Sequence, residues 1–221
     1  MKEDINYSVI YILILIATGI MLVNEYLLLG IGAGITGNVI ASTSSVSLSE
    51  VIPKGIPAVY GQELGISYDD VSSNNPTKAD QTIEKLGSYD NKISLSGDKL
   101  QRYIDTASQI SCEYCCGAPS IIFTKDTGQY KAGDAACGCA HSFAMRGLAK
   151  YLLTNHPDMT NDQILEELGK WKTLFFPGIM IQKAQVLEQN GIEFNYINLA
   201  SNKYRGIEKG ATNGGGMVGG C

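Results

Sequence analysis

Residues 112–117 read CEYCCG, and residues 137–141 read CGCAH. Five of the six cysteines of the chain therefore lie between residues 112 and 139. A tetrahedral metal ion needs four ligands, which short C-x₂-C turns supply in pairs when about 15–20 residues join the two pairs. Twenty residues separate Cys116 from Cys137, which fits this arrangement. The sequence therefore predicts a domain organised around a Cys/His metal site.

The second cluster is a C-x-C-x-H pattern rather than a second C-x₂-C turn, so more than one ligand set fits it. Cys137 and His141 are four residues apart and would share one face of a helix. We expect Cys112 and Cys115 to be the ligands from the first cluster, with two of Cys137, Cys139 and His141 from the second. The candidate metal ligands are Cys112, Cys115, Cys116, Cys137, Cys139 and His141, with Met217 and Cys221 as possible additional sulfur ligands.

Zinc suits a closed site of three or four cysteines completed by histidine, and it is the metal we expect first. Copper(I) also prefers thiolate and thioether ligands, and four cysteines suit an iron–sulfur cluster. The clustering of the cysteines also has two explanations that need no metal. The cysteines could form stable disulfides, or they could be redox thiols that exchange disulfides. Disulfides within one cluster would be strained because their cysteines are adjacent or two apart, whereas bonds between the clusters are possible.

The charge of the chain argues against nucleic-acid binding. Its formal net charge is −5 at pH 7, with 17 lysines and arginines against 22 acidic residues. A nucleic-acid interface needs a clustered basic face. We therefore expect no nucleic-acid partner.

The first fifth of the chain resembles a membrane segment. Between Ile5 and Ser49 the only charged side chain is that of Glu25. The uncharged run Ile5–Val23 is close to the roughly 20 residues that cross a bilayer, and it is longer than a signal-peptide core. We expect a single-pass anchor in contact with membrane lipid, and Gly30 and Gly34 suit a partner transmembrane helix. Lys2 mildly favours a cytoplasmic N-terminus and thus an extracytoplasmic soluble domain.

Periodicity and capping signals predict mostly helices after the linker. Thr160 and Gln163 form a capping-box pattern, and Pro177 is expected to break the helix that follows them. The predicted helices are Lys78–Leu86, Asp98–Ile110, Ala140–Leu153, a helix from Thr160 and Ile179–Gln189. A β-hairpin is expected from Ser120–Phe123 and Gln129–Lys131, and a strand from Ile192–Ile197.

The predicted fold is mainly α with a small β-hairpin, as an N-terminal transmembrane helix followed by one soluble α+β domain. The expected organisation is an anchor over 1–40, a linker over 41–58, the Cys/His domain over 59–209 and a glycine-rich tail over 210–221.

The motifs CEYCCG, CGCAHSFAMRGLAKYL and EELGKWKTLFFP resemble those of uncharacterised membrane-anchored proteins of archaeal type, which imply this architecture and no established activity. More loosely, residues 137–177 resemble the thiol-reducing subunit of cytochrome c maturation. The matching pieces are the Cys137/Cys139 pair, Asp162-Gln-Ile164 and Phe176-Pro177, although C-x-C stands here in place of C-x-x-C. That resemblance implies thiol–disulfide exchange.

The sequence therefore predicts a membrane-anchored metal-binding protein, with a structural site or a site that carries zinc or copper. One alternative is a thiol–disulfide oxidoreductase, and another is a structural or interaction subunit of a membrane complex. The sequence favours a protein that is not an enzyme, because no general acid–base pair stands out. No catalytic residue is therefore assigned.

Overall fold

The computed structural model of the protein describes residues 48–209 and 217–219. These residues belong to one compact unit that spans Ser45–Cys221. The predicted anchor, with Gly30 and Gly34, and most of the glycine-rich tail lie outside the described residues. In the described part, no helix is both long enough and apolar enough to cross a bilayer.

The described chain is built from helices joined by turns and loops. Short 3₁₀ turns stand at Tyr68–Asp70 and Asn202–Tyr204. The α-helices are α1 Leu48–Val51, α2 Gly61–Leu64, α3 Pro76–Lys92, α4 Gly97–Ala107, α5 Ala140–Asn155, α6 Asn161–Phe175, α7 Pro177–Gln189 and α8 Tyr196–Ala200.

Capping side chains explain where the long helices begin. The Asn75 side chain accepts a hydrogen bond from the Lys78 backbone N–H, and Pro76 occupies the first turn of α3. The capping box predicted at Thr160 is confirmed, since Thr160 and Gln163 satisfy each other's backbone N–H groups at the start of α6. Pro177 ends α6 and opens α7, because a proline without an N–H is tolerated in a first turn.

The core lies where α3 and α5 cross, and this pair has the most extensive contact between elements. Glycines permit the close approach. A Cβ on Gly147 would collide with the Leu86 carbonyl oxygen, and one on Gly87 would collide with the Phe143 ring. Helix α6 closes the core with the fully buried Trp171.

The predicted α+β fold with a hairpin and a strand is wrong, because residues 48–209 and 217–219 form no strand or sheet. The segment after Ser120 makes one isolated bridge, between Ile122 and Ala135. Its loop is held instead by Asp126, whose carboxylate accepts hydrogen bonds from Ala132 N and Lys131 Nζ. Such side-chain bonds compete with a strand ladder.

The strand predicted over Ile192–Ile197 is also replaced, by the start of α8. The Asn195 side chain accepts a hydrogen bond from Asn198 N at 2.7 Å, which caps a helix that begins at Tyr196.

Candidate metal centre

The fold brings the two cysteine clusters together. Cys112 follows α4 by a short segment in which Ile110 bridges to Ser201, and Ile121 N donates to Ile110 O. Cys139 is the N-cap of α5 and places His141 in the first turn of that helix. The metal-ligand atoms of Cys112, Cys115, Cys139 and His141 all lie within 4.8 Å of one another. These four residues are therefore placed so that they can hold a metal ion.

The site is closed to solvent on most sides. Cys112 and His141 have no exposed surface, and Cys139 is 8% exposed. Buried sulfur and imidazole groups arranged in this way match the ligands of a closed structural metal site more closely than those of an open catalytic one.

His141 is held in one orientation. Its ring lies 4.8 Å from the Phe175 ring and 4.9 Å from the Phe176 ring, between centroids. Its Nε2 lies 2.8 Å from the Val218 carbonyl oxygen, which can only accept a hydrogen bond, so Nε2 carries the proton. Nδ1 then keeps its lone pair. That atom is buried and has no hydrogen-bond partner among residues 48–209 and 217–219.

Cys139 is the better stabilised thiolate of the two buried thiols. Its sulfur lies 3.2 Å from Cys112 Sγ and accepts a hydrogen bond from Ser142 N at 3.3 Å, at the positive end of α5. The hydrogen bond from the Cys112 thiol is the main cause that lowers the pKa of Cys139, with hydrogen bonds from Ser142 adding to it against the effect of burial. The same bond, together with burial, raises the pKa of Cys112.

Three of the predicted ligands are engaged in disulfides. Cys116 and Cys137 are bonded to each other, and Cys115 is also disulfide-bonded. Cys112 and Cys139 are free thiols. In this oxidation state the available donors of the site are therefore Cys112, Cys139 and His141, and Cys115 joins them once its disulfide is reduced.

A buried ionic cluster supports the turn that carries Cys112. Glu113 Oε1 lies 3.1 Å from Lys172 Nζ, and Glu113 Oε2 lies 3.0 Å from Arg205 Nε. Burial would raise the pKa of Glu113, but the charges of Lys172 and Lys183 outweigh it and lower that pKa. Burial in turn lowers the pKa of Lys172 to about 8 against the opposing effect of Glu113. This cluster ties the first cysteine turn to α6 and α7.

The sequence predicts Met217 and Cys221 as possible additional sulfur ligands of the site. Met217 is 47% exposed, and Cys221 lies outside the described residues. The sequence did not single out Ser142, Phe175, Phe176 or Val218 as parts of the site. Of these four residues, only Ser142 could have been predicted from the sequence. It stands at the third position after the capping residue Cys139, where a backbone N–H needs an acceptor.

Val218 also helps to line a cavity of about 320 Å³ with Ile52, Tyr68, Leu174 and Pro177. Its N–H donates to Phe175 O at 2.8 Å, which fixes the segment that orients His141. The residue whose carbonyl group selects the His141 tautomer thus also lines this cavity.

Comparison of the chain with protein-family models, with curated proteins and with solved structures gives no match.

Proposed function

We propose that this protein binds a soft or borderline metal ion through Cys112, Cys139 and His141, with Cys115 as the fourth ligand in the reduced protein. The observation that supports this most directly is the His141 Nδ1 atom, which is buried without a hydrogen-bond partner in the described part of the chain. A buried acceptor left in this way costs about 1–3 kcal/mol. A metal ion bound at Nδ1 removes that cost.

The second nitrogen of the ring supports the same proposal. Histidines that bind metals usually donate their other N–H to a carboxylate or a backbone carbonyl, which sets the tautomer and the ring orientation. His141 makes this bond to Val218 O. The ring is therefore already in the form that a metal requires.

The donor set favours zinc in the reduced protein. Three thiolates and one imidazole form a closed tetrahedral Zn²⁺ site. An iron–sulfur cluster with four cysteine ligands is less well matched, since the group with His141 offers three sulfurs. Two thiolates and one imidazole, the set that remains while Cys115 stays oxidised, also suit copper(I). The closed, buried arrangement favours a structural or carrier role over catalysis.

The test is metal binding by the full-length protein, reduced and handled without oxygen. We expect one equivalent of Zn²⁺ per chain by elemental analysis and by competition with a chromophoric chelator. Cys139→Ser and His141→Gln should each weaken binding by more than the roughly 10–100-fold that follows loss of a residue that only orients a ligand.

His156→Gln is the matched control, because His156 is the other histidine and pairs with Glu63 at the surface. It should bind zinc like the wild type. Circular dichroism of each variant checks that it is folded. Reduced, folded wild type that binds neither zinc nor copper(I) in stoichiometric amount would overturn the proposal.

A further inference from the structure

Four cysteine sulfurs form a continuous path from the surface to the proposed metal site. Cys116 is exposed and is bonded to Cys137. Cys137 Sγ lies 3.4 Å from Cys139 Sγ, which lies 3.2 Å from Cys112 Sγ. The outer pair is a disulfide and the inner pair is two thiols. Each sulfur is thus next to the one with which it would exchange.

We propose that the disulfide moves along this path, from the Cys116–Cys137 pair to the Cys112–Cys139 pair, and that this internal transfer releases the metal. The inference rests on the proposed metal site, since it makes two of the ligands of that site the thiols that become oxidised. It adds a thiol–disulfide exchange activity to the binding function.

The transfer takes two exchange steps. In the first, Cys139 Sγ attacks Cys137 Sγ, a Cys137–Cys139 bond forms, and Cys116 leaves as the thiolate. In the second, Cys112 Sγ attacks Cys139 Sγ, a Cys112–Cys139 bond forms, and Cys137 leaves as the thiolate. Thiol–disulfide exchange proceeds through such mixed intermediates.

The electrons and protons balance without an added oxidant. The inner pair loses two electrons and the outer pair gains two. Any protons lost from the Cys112 and Cys139 thiols are taken up by the Cys116 and Cys137 thiolates through solvent. The Cys137–Cys139 intermediate joins cysteines two residues apart, which strains a disulfide and favours the second step.

Metal binding and the disulfide transfer compete for the same two sulfurs, those of Cys112 and Cys139. A thiolate that is bound to the ion has its lone pair engaged, so loading the site should hold the disulfide on the outer pair. Once the inner pair is a disulfide, two ligands are lost and the ion leaves. The exposed Cys116 sulfur is where a small disulfide would oxidise the outer pair again after the transfer.

The test begins with full-length protein oxidised by a small disulfide, with Zn²⁺ present, and then treated with a chelator in the absence of oxygen. Alkylation followed by peptide mapping reports which cysteines are paired. We expect mainly Cys116–Cys137 with metal bound and at least a tenfold increase in the Cys112–Cys139 to Cys116–Cys137 ratio after chelation.

The Cys116→Ser/Cys137→Ser double variant is the control. It keeps Cys112, Cys139 and His141 but lacks the disulfide to be transferred. After the same oxidation and chelation, it should therefore form far less of the Cys112–Cys139 disulfide than the wild type does.

The possible results separate the two proposals. If reduced wild type binds no metal, the proposed function fails, while peptide mapping still reports whether the disulfide moves. If zinc binds but chelation leaves the pairing unchanged, or if the double variant forms the Cys112–Cys139 disulfide as readily as the wild type, the transfer is wrong and the metal site stands.

Discussion

The charge of Glu113 is balanced by the buried Lys172 and Lys183 and by the partly exposed Arg205. Its side chain is 7% exposed, and its partner Lys172 has no exposed surface. Lys172 Nζ also donates to Ala200 O at 2.8 Å, so it cannot turn toward solvent without losing two bonds. Removal of one partner of a buried ion pair leaves an uncompensated charge.

We therefore expect Glu113→Gln to lower the free energy of unfolding of the reduced protein by about 3 kcal/mol. Urea denaturation followed by circular dichroism measures the change. Glu166→Gln is the control, because Glu166 pairs with Lys170 at a side chain that is 43% exposed. Such a surface pair contributes less than about 1 kcal/mol. Equal effects of the two substitutions would show that the buried cluster does not stabilise the fold.

At the scale of the helix, Gly147 determines how closely α5 approaches α3. An added Cβ at this position would overlap the Leu86 carbonyl oxygen and press on the Asp90 backbone N. Backbone atoms cannot move aside as a flexible side chain can. We expect Gly147→Ala to destabilise the protein by about 1–3 kcal/mol, in spite of the better helix propensity of alanine.

Thermal unfolding tests this expectation. For a domain of this size, 1 kcal/mol corresponds to a Tm change of about 2–4 °C. Gly128→Ala is the matched control, since nothing lies within 4 Å of a Cβ placed there. An unchanged Tm in Gly147→Ala would mean that the two helices can separate slightly without loss of packing.

The helices were predictable from sequence where a cap or a proline marks the boundary. Thr160 caps the start of α6 and Gln189 ends α7, close to the predicted boundaries, because the signals are local. The predicted hairpin failed for a local reason that periodicity does not measure. Asp126 binds the backbone of its own loop, and the two sides of the loop pair through the isolated Ile122–Ala135 bridge and the backbone hydrogen bonds beside it.

The residue types of the candidate site could be predicted from the sequence, but the disulfide pairing of its cysteines could not. Spacing alone favours Cys112 and Cys115 with part of the second cluster, and the structure does bring these groups together. Spacing cannot show that Cys116 bonds to Cys137, because that depends on how the loop after Gly117 folds back. It also cannot show that a carbonyl 77 residues away orients His141.

At the scale of the molecule, the proposed ion would join segments that are distant in sequence. It links Cys112, which follows α4, to Cys139 and His141 at the start of α5, and His141 in turn holds Val218 through a 2.8 Å hydrogen bond. Because an unfolded chain does not present these ligands together, binding should stabilise the folded state.

We therefore expect Zn²⁺ at a free concentration of 100 times its Kd to stabilise the reduced protein by about 2.7 kcal/mol. This corresponds to a rise in Tm of roughly 5–10 °C. Differential scanning calorimetry with and without zinc measures it. The rise should disappear in Cys139→Ser and persist in His156→Gln. If zinc binds stoichiometrically to the wild type but leaves its Tm unchanged, the unfolded chain binds the ion as well as the folded one does. The ion would then be cargo held by the cysteine turns rather than a link between α4, α5 and the Val218 segment.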